Sequence, residues 1–159
     1  MIDSTIKIIP FDPKLSQQFY DLNIEWLERY FIIEDYDRAV LSQPQKYIID
    51  KGGFIFFGLL NHNIIGTYAF MPLKNEPGFE LTKMSVAPDY RGFKIGQQLL
   101  THSIAFAKQQ NFKKLLLYSS TKLENAIYLY RKFGFEEIVL EADSPYQRAD
   151  IKMEYDLNV

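Results

Sequence analysis

ELTKMSVAPDYRGFKIGQQLL, residues 80–100, is the stretch on which the fold of this chain turns. An apolar-alternating strand runs into an Arg-Gly-rich turn, and the turn opens directly into an amphipathic helix. A helix start leaves backbone N–H groups unpaired and carries a partial positive charge, so it attracts anions. Acidic residues ordinarily favour that first turn, yet no Asp or Glu occurs between Arg91 and Gln110. Arg91 and Lys94 stand there instead, so the turn is suited to an external anion such as a phosphate.

Upstream, Thr5 to Ile9 reads as a first strand. Asp12 and Pro13 then mark a helix start, an N-cap followed by proline at the first helical position. Leu15, Phe19, Leu22, Trp26 and Tyr30 follow at steps of four and three and define one apolar face. A short helix is expected over Asp35 to Leu41, stopped before Pro44. Strands over Gly53 to Leu60 and Ile64 to Met71 are joined by the hairpin turn Asn61-His62-Asn63. Phe79 to Val86 is the fourth strand and Ile95 to Gln110 the third helix. Downstream lie a Leu-rich strand over Lys113 to Tyr118 and a helix opened by the capping-box spacing Thr121 to Glu124. Gly134 closes that helix, and strands over Glu136 to Leu140 and Ala149 to Leu157 form a final hairpin across the loop 141–148. The order is mixed α/β around a largely antiparallel sheet of six to seven strands flanked by four helices, without a repeated βαβ series.

The chain has 159 residues, enough for one domain with its own core, and residues 1–159 are read as a single domain. A net charge of −2 gives no basic footprint for nucleic acid or an anionic membrane surface. Absence of cysteine removes disulfides, thiolate metal sites and a covalent Cys mechanism together. The opening MIDSTIKIIPFD lacks the features of a signal peptide, and no apolar stretch is long enough to span a bilayer, so the cytoplasm is the expected compartment.

The segment after the fourth strand resembles motif A of the GNAT superfamily of N-acetyltransferases, [QR]-x-x-G-x-[GA]. Arg91 and Gly96 match its first and last positions, and Lys94 stands where the family has its first glycine. A second match is AIYLYRKFGF, residues 126–135, which resembles the family's A-x-x-L-Y-x-x-x-G-F helix. Leu123 replaces an Asn that members often carry ahead of that alanine. The resemblance extends from Thr5 to Tyr155 and implies a GNAT acyltransferase fold. It also implies transfer of an acetyl group from acetyl-coenzyme A to a primary amine, on a small molecule or a protein, without a metal. Cofactor contacts are implied at Met84, Ser85 and Val86 in the fourth strand, at Arg91, Gly92, Phe93, Lys94, Ile95, Gly96 and Gln97 in the turn, and at Asn125 and Tyr130.

Acetyl transfer needs a polarised carbonyl, an amine that has lost its proton, and a stabilised leaving thiolate. In the family a bulge in strand four frees backbone amides for the first task, which falls here to Met84 to Val86. Tyr130 matches the family tyrosine near the sulfur and is the candidate acid, although Ala126, Ile127, Tyr130 and Phe133 also form a normal apolar face. Glu80 is the candidate base; an unperturbed carboxylate near ~4.3 suits an amine poorly, so burial or a relay is required. Tyr30, Tyr36, Tyr146 and Arg148 are candidates for acceptor binding. Glu34, Asp35 and Asp37 read either as a solvated charged loop or as a cleft edge favouring a cationic acceptor. His62 and His102 lack partners at ligand spacing, so no metal site is expected, and neither a P-loop nor a Rossmann turn occurs. The alternatives are a non-catalytic acyl-coenzyme A sensor of the same fold and a protein-interaction domain with a merely structural turn. A homodimer is compatible with the many aromatic residues.

Overall fold

The structure is a computed structural model that describes residues 5–157. Seven strands form one sheet: β1 (Lys7–Pro10), β2 (Phe54–Leu60), β3 (Asn63–Pro72), β4 (Phe79–Val86), β5 (Lys114–Ser119), β6 (Glu136–Ile138) and β7 (Ile151–Asp156). Their spatial order is β1-β2-β3-β4-β5-β7-β6. Every neighbouring pair is antiparallel except β4 with β5. Four α-helices accompany it: α1 (Ser16–Tyr30), α2 (Asp35–Ser42), α3 (Ile95–Gln109) and α4 (Glu124–Lys132). The expected mixed sheet with four helices is what the chain forms.

Strand alternation distributes the core over both faces of the sheet. Phe56 packs with Leu99, Leu100 and Ile104 of α3 on one face. Its neighbours Ile55 and Phe57 pack with Phe19 and Leu27 of α1 and Val40 and Leu41 of α2 on the other. Gly58 and Gly66 are cross-strand partners. A Cβ on Gly66 would lie 3.1 Å from the Leu99 side chain, so this glycine pair is the hollow that seats α3 against the sheet. The hairpin between β2 and β3 turns on Asn61 and His62, both at positive φ (51° and 71°), as a two-residue turn matched to strand twist requires.

Several elements depart from the sequence expectations. The buried face of α1 is Phe19, Asn23 and Leu27, with Leu22, Trp26 and Tyr30 only half-buried. Asn23 occupies that face because its side-chain amide donates to the Phe19 carbonyl at 2.9 Å. Thr121 does not cap α4, whose N-cap is Leu123. Instead its N–H and hydroxyl both donate to the Asp150 carboxylate at 2.8 Å, tying the start of β7 to the end of β5. The second helix stops before Pro44 as expected, at Ser42, but Pro44 then opens a separate π-type turn over Gln45–Ile49 that the sequence expectations do not include. The last two strands are shorter than their apolar patterns suggested, and β7 lies between β5 and β6.

Candidate active site

The site begins with an irregularity in β4. Thr67 pairs with Ser85 and Ala69 with Thr82, so Lys83 and Met84 together face the single residue Tyr68. This is a β-bulge, and Lys83 takes the left-handed conformation (φ 56°) to make it. On its other side β4 pairs with β5 only at Phe79↔Leu115 and Glu80↔Leu116. Beyond Glu80 the two strands part, and the β4 backbone has no further strand partner on that side.

A cavity fills the opening. Thr82, Lys83 and Met84 of β4 and Tyr118 and Ser119 of β5 form its two sides. Trp26, Leu27 and Phe31 give it an apolar wall, and Ala126 and Tyr130 of α4 close one end. Tyr146 and Arg148, from the loop between β6 and β7, close the other.

A polar network lies under the Tyr146 end. The Tyr146 side chain is 4% exposed, and its hydroxyl donates to Glu80 Oε2 at 2.8 Å. Lys83 Nζ donates to the same phenol oxygen at 3.2 Å and sits 4.7 Å from the ring centroid. Arg148 grips both oxygens of the buried Asp37 at 2.7 and 2.9 Å and bonds Glu34 at 2.9 Å. Burial alone would raise the Asp37 carboxyl, but the Arg148 guanidinium and the Glu34 N–H hold it below its ordinary range. Glu34 and Asp37 therefore clamp the 141–148 loop, which corrects their reading as part of a solvated charged loop, while Asp35 is exposed. Burial pushes the Glu80 carboxyl up despite Lys83 and the Tyr146 hydroxyl, and pushes the Lys83 ammonium down despite Glu80 and Asp37. Glu80 itself does not line the cavity; the Tyr146 phenol stands between them.

The turn between β4 and α3 lies at the continuation of β4. Gly92 (φ 89°) and Lys94 (φ 63°) both adopt left-handed backbone. Lys94 is the N-cap of α3 without a side-chain cap bond, and the first turn of that helix contains no acidic residue. A Cβ added at Gly92 or Gly96 meets nothing within 4 Å, so the surface over the turn is open. Arg91 does not point outward to an anion as its charge suggested. Its guanidinium bonds Glu25 of α1 at 2.6 Å and anchors the turn.

The strained Lys94 backbone gives a first prediction. Left-handed geometry costs a side-chain-bearing residue roughly 1–2 kcal/mol, and glycine's greater unfolded-state entropy offsets part of the relief. Lys94→Gly should thus leave thermal stability unchanged or raised by up to about 1 kcal/mol, measured as the shift in Tm. A clear loss of stability would mean that the Lys94 side chain makes a contact that holds the turn.

Among the other sequence candidates, Tyr130 lines the cavity with its ring 5.9 Å from that of Phe135. No hydrogen bond among the described residues uses its hydroxyl, and burial pushes its pKa up to about 12. Met84 lines the cavity, Ser85 is buried with an unbonded hydroxyl, and Val86 ends the strand. Phe93 is 40% exposed on the turn; Ile95 is in the core, so only its backbone reaches the turn's surface, and Gln97 follows in α3. Asn125 is exposed in the first turn of α4 and lies outside the cavity lining. Tyr30 also lies outside it, near Arg91, while Tyr36 touches the Tyr146 ring at 5.9 Å. His102 shares a 2.7 Å hydrogen bond with the Tyr68 hydroxyl and is part of the packing. Lys83 is not among the sequence candidates; its one signal is that it stands in alternation with the buried Leu81 and Ser85, where a lysine is out of place.

The model of the acetyltransferase (GNAT) family matches residues 17–135. N-acetyltransferase 8 of Rattus norvegicus is 26% identical over 97 residues, covering 58% of this chain and 44% of that protein. The chain thus spans about half the length of the curated relatives it matches. An acetyltransferase of the GNAT family from Staphylococcus aureus Mu50 superposes with a TM-score of 0.83 at 26% identity, covering 96% of this chain and 99% of that one. The PaiA N-acetyltransferase of Thermoplasma acidophilum, in complex with coenzyme A, shares the fold with a TM-score of 0.71 at 17% identity, covering 96% and 99% of the two chains.

Proposed function

The chain belongs to the acetyltransferase (GNAT) family, and from that premise we propose that it moves an acetyl group from acetyl-coenzyme A directly to an amine. The strongest support is one juxtaposition. The bulged, unpaired edge of β4 runs from a cavity containing the Tyr130 phenol to an open helix N-terminus at the turn. The residues fit such a cofactor: the α3 amides and the open surface at Gly92 and Gly96 suit a pyrophosphate, and the unpaired β4 backbone suits an amide-bearing arm.

Acetyl-coenzyme A, when bound, supplies an acyl group activated as a thioester. The backbone amides at Met84 to Val86 are the donors available to polarise its carbonyl. Tyr130 remains protonated because burial raises its pKa, so its hydroxyl serves as a hydrogen-bond donor to the departing sulfur rather than as a strong acid. An amine entering this opening would take the acetyl group at the carbonyl carbon and the thiolate would leave toward the Tyr130 hydroxyl. The Tyr146 hydroxyl, which donates to Glu80, would let the proton lost by the amine pass to the phenol oxygen as the phenol's own proton moves to Glu80. No covalent intermediate with the protein is required, in keeping with a chain that has no cysteine. Incubation with acetyl-coenzyme A and a panel of amines, read by mass spectrometry, should yield acetylated amine; its absence from every reaction counts against transfer.

The Glu80 relay has a pH signature. A base with a raised pKa accepts a proton only above that pKa, so the wild-type rate should rise through it and then level off. Glu80→Gln removes the acceptor and leaves deprotonation to solvent, so its rate should climb only at higher pH, with the largest deficit on the acidic side. Matching pH–rate profiles for the two proteins would take Glu80 out of the mechanism.

A further inference from the structure

The charged side chains lining the cavity are Lys83 and Arg148, both cations. The nearby carboxylates are already engaged: Glu80 accepts from the Tyr146 phenol, Asp37 and Glu34 accept from Arg148, and Glu141 accepts from Tyr118 and Lys152. This inverts the charge that the acidic segment at residues 34–37 suggested for the acceptor side. Arg148 is committed, since its terminal nitrogens already bond two carboxylates. Lys83 is not. Its ammonium lies 4.7 and 5.7 Å from the Tyr146 and Tyr36 ring centroids, but of its three N–H donors one bonds a neutral phenol, and among the described residues no other hydrogen bond and no ion pair involves it. The bulge that presents Lys83 to the cavity requires left-handed backbone at a lysine, a strained arrangement of the kind that persists where function uses it.

A sheltered cation with unused donors calls for an anion. The donor end does not supply one at this depth, because a thioester is neutral and the phosphates of the proposed cofactor belong at the α3 turn. The anion must therefore arrive with the acceptor. We propose that the acceptor is an amine that carries a carboxylate close to its nitrogen, an amino acid, and that Lys83 is the anchor for that carboxylate. This rests on the acetyl-transfer reading above. The same cation disfavours the ammonium form of the bound amine and so promotes the free base that must attack. Trp26 and Phe31, whose rings pack 5.4 Å apart in the cavity lining, offer an apolar surface for a large side chain.

L-Phenylalanine, L-phenylalaninamide and phenethylamine separate the carboxylate from the rest of the molecule. With acetyl-coenzyme A and the wild-type protein, kcat/KM measured by thiol release should favour the acid over the amide and the plain amine by roughly tenfold to a hundredfold, the range of a charge-assisted hydrogen bond. Lys83→Met should bring the acid-to-amide ratio to near one, chiefly through a higher KM for the acid, and Lys83→Arg should retain a preference. Coenzyme A titration checks that each variant is folded, and the wild-type comparison decides the matter alone where a variant does not fold. Equal or better use of the amide by the wild-type protein, or an unchanged ratio in a folded Lys83→Met, overturns the proposal while leaving acetyl transfer standing. Absence of thiol release with all three compounds and with polyamine and peptide controls overturns both.

Discussion

Gly96→Glu is expected to abolish coenzyme A binding, with a loss of affinity beyond about a hundredfold, while the protein keeps its native fold. Gly96 lies in the first turn of α3, and an added Cβ there meets no atom within 4 Å. The substitution therefore forces no repacking. A carboxylate at a helix N-terminus even favours the helix by roughly 0.3–1 kcal/mol, so circular dichroism should remain native. What changes is the surface on which the pyrophosphate is proposed to rest. A negative side chain there competes for the same amide donors and repels the phosphates. Calorimetry on the folded variant is the check, and unchanged affinity would put the phosphates elsewhere.

Tyr130→Phe should lower turnover by roughly ten- to a thousandfold with little change in affinity for coenzyme A. The ring packs against Phe135, and the variant keeps that contact. Because no neighbour among the described residues bonds the hydroxyl, its removal leaves no buried group unsatisfied. Stability should therefore stay within about 0.5 kcal/mol of wild type, as for a substitution that opens no cavity and breaks no bond. A rate effect without a stability effect separates a hydroxyl that acts on the leaving sulfur from one that merely fills space. Turnover close to wild type would make Tyr130 a packing residue.

The order of elements was legible because it depends on local signals: the alternation of β2 to β4, the Asn61-His62 turn and the proline and glycine punctuation around α1 and α4. The phase of α1 differs from its apolar pattern because an asparagine on the buried face satisfies itself on its own helix, which periodicity of apolar residues does not register. The capping spacing at Thr121 was sound locally but lost to Asp150, a partner 29 residues away. Asp37 was harder still, since its burial depends on an arginine 111 residues downstream. The motifs around the α3 turn and Tyr130 were visible as patterns. Lys83 was not, because a bulge is a property of two strands together, and the residue it rotates into the cavity is named by neither strand alone.

The most direct test is the initial rate of free-thiol release from acetyl-coenzyme A, measured with and without an amine acceptor. Acetyl transfer through the β4–β5 opening predicts release that depends on the amine, saturates with it and falls in Tyr130→Phe. Saturable binding of coenzyme A with no amine-dependent release from any acceptor would contradict it and mark the chain as a sensor that binds without turnover.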